Sequence, residues 1–288
     1  MMNHILVCDF EPEFINTFKG NAFVIKTSNP NQIEDINNIT NQNNQLHCIW
    51  LQLNNKLSDL SINPEWKFIP ISLFIEEMGN FRDIAPMVHI LRNSNIRIFL
   101  NSDIPENYLS LQILCSLGIH CGLYFGSEKI QWDAFKDLLF YAAYAKRKVA
   151  SIEPFQFVLD NYQINELTNW SSVYFNNPNR YIHIRKDGKI AVNAFALNNE
   201  VYLSESMQDI NNIEDLELYN EACSNWNKHF IENTYCSTCP AWRVCIGSFY
   251  NKENKDLQCR EAMIELMEAA ESINESKNKM QKPELCRL

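Results

Sequence analysis

The chain has 288 residues, 46% of them hydrophobic and 21% charged, an ordinary globular composition that fits one large domain or two modest ones. A formal net charge of -10 repels phosphate backbones and argues against general nucleic-acid binding, and seven glycines form no Gly-rich phosphate loop on which a nucleotide site could rest. No apolar run approaches the ~20 residues that span a bilayer, and Met1 to Ile5 is not the opening of a signal peptide, so a soluble, cytoplasmic protein is expected. In a reducing compartment its ten cysteines point to metal before disulfides.

The first elements are short apolar runs, Ile5 to Cys8 and Ala22 to Ile25, which predict strands, followed by an Asn/Gln-rich stretch over 31–45 that reads as a surface loop or helix. From residue 46 a beat sets in. Cys48 to Leu53, Phe68 to Phe74, Ile96 to Leu100 and Gly118 to Phe125 read as strands. Asp83 to Leu91, Pro105 to Leu117 and Trp132 to Lys146 read as helices between and after them. Strands alternating with helices of this length predict βα units and a parallel sheet, with too few units for a complete eight-unit barrel. The expected fold is α/β: a shortened, partial TIM-barrel-like region over 1–150, a connecting segment over 151–179, a small cysteine-bearing domain over 180–275 and a tail over 276–288.

The beat changes after residue 150. Phe155 to Leu159 reads as a further strand, and Tyr181 to Val192 as a hairpin about Asp187-Gly188, because apolar residues alternate on both sides of that turn pair. Val201 to Leu203 and an acidic connector come next, then a helix from Leu216 to Trp226 and, after the cysteines, an amphipathic helix from Cys259 to about Glu275.

Cys236, Cys239, Cys245 and Cys259 concentrate soft ligand chemistry in one segment. A two-residue gap lets one tight turn present two sulfurs to the same ion, Pro240 stiffens the exit, and Cys245 comes round on the next turn. Four thiolates suit tetrahedral zinc or an iron–sulfur cluster, and the spacing does not choose between them. Cys8, Cys48, Cys115 and Cys121 fall in apolar runs and read as core residues. Cys223 and Cys286 read as free thiols rather than spare ligands, and His183 as a sheet-surface residue. His120 stands at a predicted strand end without a partner in sequence. Arg243, Lys252, Lys255 and Arg260 gather positive charge about the cysteines, and Trp242 lies inside their loop.

The block from Tyr181 to Cys259 resembles the SPASM domain, the C-terminal module of radical SAM enzymes that mature ribosomal peptides. Gly188 sits where that family has its glycine, Cys236, Cys239 and Cys245 match its central run, and Cys259 matches its last cysteine. The resemblance implies that these four hold one auxiliary 4Fe–4S cluster. Asn193 and Phe249 stand where the family has ligands to an inner cluster, so that second cluster is not expected. Cys8, Cys48, Cys115 and Cys121 show no Cys-x3-Cys-x2-Cys spacing, so no cleavage of S-adenosylmethionine is expected either. What the resemblance implies is a pseudo-radical-SAM accessory protein of peptide maturation, binding a precursor peptide or a maturation enzyme. The alternative is an interaction protein with a purely structural zinc on the same four cysteines. An electron-transfer partner of a true radical enzyme ranks below both.

Overall fold

The computed structural model describes residues 4–126, 130–146, 149–206, 213–232, 234–249 and 258–281. Its strands are β1 (Ile5–Asp9), β2 (Ala22–Thr27), β3 (Gln45–Lys56), β4 (Ile71–Glu77), β5 (Ile96–Asn101), β6 (Cys121–Tyr124), β7 (Ile152–Glu153), β8 (Tyr181–Ile184) and β9 (Ile190–Ala191). They form one nine-stranded sheet in the order β7-β6-β5-β4-β3-β2-β1-β8-β9. Every neighbouring pair is parallel except β8 with β9. The chain is therefore α/β with an open, mostly parallel sheet. From β1 to β7 the strand order follows the chain order, as it does in part of a βα barrel.

The helices are α1 (Pro12–Asn16), α2 (Ile33–Asn43), α3 (Phe81–Ile84), α4 (Val88–Arg92), α5 (Glu106–Ser116), α6 (Trp132–Tyr144), α7 (Phe155–Asn161), α8 (Ala194–Asn198), α9 (Glu217–Glu232), α10 (Thr234–Ser237), α11 (Trp242–Cys245) and α12 (Gln258–Gln281). Among the described residues none is long and apolar enough to cross a membrane.

Strand side chains alternate between two faces. Leu6, Ile25, Leu51, Leu73, Ile98, Leu123 and Ile182 share one buried cluster with Ile36, Leu111, Phe135 and Leu138 of the helices. The Asn-rich α2 joins it because Ile33, Ile36 and Thr40 recur at helical spacing and are buried, while its amides stay outside. The opposite face is covered by a short strap. Its 3-10 turn, Trp170–Tyr174, and Phe175 just after it lay Val173 beside Phe74 and Phe99, and Phe175 beside Val7, Val24 and Cys48. Phe74 and Phe99 stack at 4.6 Å. Gly122 makes this packing possible, since a Cβ there would lie 2.7 Å from the Glu153 carbonyl oxygen and 2.9 Å from the Phe99 ring.

Three expectations need correction. Phe155 to Leu159 is a helix, not a strand, because Phe155, Val158 and Leu159 are buried at i, i+3 and i+4. Phe68 belongs to a 3-10 turn and is exposed, and the strand starts at Ile71. The segment from 83 to 91 is not one helix, since Pro86 falls in a 3-10 turn between α3 and α4. The hairpin about Asp187-Gly188 is present as β8 and β9, with Gly188 at φ +89°. Its first strand pairs with β1, so the boundary expected at residue 180 runs through the shared sheet.

His183 is another difference. It faces the strap, not solvent, fully buried, with Nε2 donating to the Phe175 carbonyl at 2.9 Å and Nδ1 without a partner. Burial holds its pKa down to about 4 against an ordinary 6.5. A histidine depressed in the folded state stabilises the fold fully above the unfolded value, and that contribution is lost as pH falls from 6.5 towards 4. Urea titrations should show the protein about 2 kcal/mol less stable near pH 5 than near pH 7 from this residue. His4, His47 and His120 are lowered in the same direction, so His183→Gln should flatten the profile without levelling it. An unchanged slope in that variant would show that His183 does not titrate in this window.

Candidate functional site

The four cysteines singled out above sit on successive short turns. Cys236 lies in α10, and the backbone N–H of Cys239 donates to the Cys236 carbonyl at 3.1 Å, closing the two-residue loop. Ala241 and Val244 are buried and anchor the next turn, which ends at Cys245. Ile246 and Gly247 then both adopt positive φ, +51° and +74°. This reversal lets the Gly247 N–H donate to the Cys245 sulfur, an interaction that favours the thiolate. Cys259 opens α12, whose Met263, Leu266 and Ala270 are buried against the same core.

The thiols share one neighbourhood. Burial pushes Cys245 up to about 12, and the charges of Cys239, Cys259 and Cys236 each push the same way. Burial pushes Cys236 up to about 11, with Cys239 and Cys259 adding to it. Cys236 and Cys245 therefore resist becoming anions while their neighbours are anions. A bound cation removes that penalty, and uptake would release the thiol protons, making affinity rise with pH. Among the described residues no group of three His, Cys, Asp or Glu is set at spacing that holds a metal ion. The donor set is nonetheless all thiol, part buried, and met by a backbone N–H, which fits zinc or an iron–sulfur cluster and fits magnesium or calcium poorly.

The remaining cysteines stay apart. Cys8, Cys115 and Cys121 are fully buried and Cys48 nearly so, as core residues. Cys223 is half-buried, and burial pushes its pKa up. Cys286, Lys252 and Lys255 lie outside the described residues. Asn193 and Phe249 each have a structural role. Asn193 caps α8 by accepting the Ala196 N–H at 2.8 Å, and Phe249 packs its ring 4.5 Å from Trp170.

The cysteine turn is stitched to the strap over the sheet. Thr168 N–H donates to the Arg243 carbonyl at 3.0 Å, and Trp170 Nε1 donates to Ser248 Oγ at 3.4 Å. Ser248 Oγ in turn donates to the Cys245 carbonyl at 2.5 Å. Thr168 and Trp170 lie far in sequence from Arg243 and Ser248, so no local pattern announced these two contacts.

The sheet ends carry a second kind of site that the sequence did not reveal. At the C-terminal ends of β1 to β3, Asp9 and Lys26 pair at 3.6 Å beside a cleft of about 770 Å³ that also takes in Trp50 and Gln52. Along the same edge Glu76 accepts from Asn101 at 3.0 Å and from the Tyr124 hydroxyl at 3.2 Å. In barrel-like βα folds this is the end where ligands bind. Comparison with family models, with curated proteins and with solved structures returned no match.

Proposed function

We propose that this chain is an iron–sulfur accessory protein of ribosomal peptide maturation, with a SPASM-like cysteine module that works for a precursor peptide or a maturation enzyme in the cytoplasm. One observation carries the proposal: Cys236, Cys239 and Cys245 lie on consecutive tight turns, with the Cys239 N–H closed onto the Cys236 carbonyl and Cys245 buried beside a donating amide. A 4Fe–4S cluster bound there would supply a one-electron centre or a rigid brace. The protein's own part is to present four thiols, shield Cys245 from water and offset thiolate charge with the Gly247 N–H. The same sequence offers no second set of three thiolates at radical-enzyme spacing, so the chemistry on the peptide falls to a partner.

Anaerobic purification tests this directly. The expected product is brown and carries about four irons and four sulfides per chain. Colourless protein with one zinc would replace the cluster with the structural-metal alternative, and protein free of both metals would remove the metal centre altogether.

A further inference from the structure

A second cavity, of about 440 Å³, opens at the opposite, N-terminal ends of β3 to β7, on the strap side of the sheet. We propose that it binds a small phosphorylated molecule, with Arg97, Arg180, His120 and Ser72 meeting the phosphate and the Phe157 and Phe175 rings flanking the organic body.

The charge balance favours an anion. The chain as a whole is at -10, yet Arg97 and Arg180 line this cavity against Glu153 and Asp160, with Lys277 beside Asp160. Its two carboxylates are already matched. Glu153 Oε1 faces Arg97 Nη1 at 3.6 Å and its Oε2 accepts the Phe157 N–H at 2.9 Å. Asp160 faces Lys277 at 3.6 Å and accepts from Gln156 at 2.8 Å. Arg180 has no carboxylate partner among the described residues and lies over the Tyr181 ring, 5.4 Å from its centroid.

Unused donors point the same way. Arg97 Nε is buried without a partner. His120 Nδ1 accepts the Ser151 N–H at 3.3 Å, so the neutral ring carries its proton on Nε2 as a donor. Ser72 Oγ accepts the Cys48 thiol at 3.3 Å, which leaves its own O–H to donate. Burial and then the Arg97 charge lower His120, and burial and then the Arg180 charge lower His47, so both arginines project their fields into this space. Donors arriving from four separate elements suit the three free oxygens of a phosphate better than the two of a carboxylate, and arginine is the residue whose fork matches phosphate. The volume exceeds inorganic phosphate and accommodates a metabolite-sized body.

The test is a titration of inorganic phosphate into the full chain, followed by histidine ¹H–¹³C NMR and calorimetry. The His47 and His120 resonances should move on one isotherm while those of His4, His89 and His183 stay in place. Arg180→Gln should weaken binding by about tenfold or more. Arg180 is exposed and outside the core, so this variant keeps the fold, and an unchanged circular dichroism spectrum would verify that. Arg97→Lys, which keeps the charge and loses the fork, should weaken binding as well. Failure of either resonance to move up to about 50 mM phosphate, or equal affinity in Arg180→Gln, would overturn the proposal.

Discussion

Serine in place of Cys245 should leave the protein unable to retain iron, a fall from about four irons per chain to near zero after desalting. Cys245 is the most buried of the four thiols, it receives the Gly247 N–H, and the other three act upon it. A hydroxyl there offers a poor ligand in a place where water cannot substitute. Cys239→Ala should behave alike. Cys115→Ala is the control: its sulfur donates to the Ala150 carbonyl at 3.0 Å in the sheet core, far from this turn in sequence, so iron content should be unchanged while stability falls by about 1 kcal/mol. Iron lost from Cys115→Ala would mean that the ligand set is not the one assigned. Iron kept at full occupancy in Cys245→Ser would carry the same message.

Phe99→Ala should be the most damaging single change in the sheet, at about 3–5 kcal/mol. Phe99 is fully buried, stacked on Phe74 and 6.0 Å from the Tyr174 ring, and Gly122 leaves its edge no slack. Truncation opens a cavity between sheet and strap that neither side can fill by small movement. Urea denaturation should give a lower midpoint with unchanged slope. Phe195→Ala, at a ring 77% exposed, should stay within about 0.5 kcal/mol of the parent. A loss in Phe99→Ala no larger than that would show that the strap does not pack on the sheet.

The repeating part of the fold was legible because its signals are local. Apolar runs of strand length alternate with helical periods, and Asp187-Gly188 marks its own turn. The cysteines were legible as a group because three of them lie within one short loop. What was not legible depends on contacts between distant residues. The strap from Thr168 to Phe175 has no periodicity of its own, and only distant partners explain it: the sheet face for Val173, Tyr174 and Phe175, and Phe249 for Trp170. His183 alternates like a surface position, yet the strap buries it. Two-residue β7 is too short to show in a pattern, although Glu153 within it shapes a cavity. The phosphate-suited residues, Ser72, Arg97, His120 and Arg180, come from four separate stretches, none of which resembles a binding motif.

The strap also has two ends. Near one, Thr168 and Trp170 hold the turn that carries Cys245, and towards the other Ser172, Val173 and Phe175 wall the N-terminal cavity. Ordering a chain segment costs conformational entropy once, whichever ligand meets it. A ligand at either end that ordered the strap further would lower the entropic cost of binding at the other end by the same factor. If both proposals hold, loading of the cysteine site would be readable at the far end of the strap as a change in affinity for a small anion.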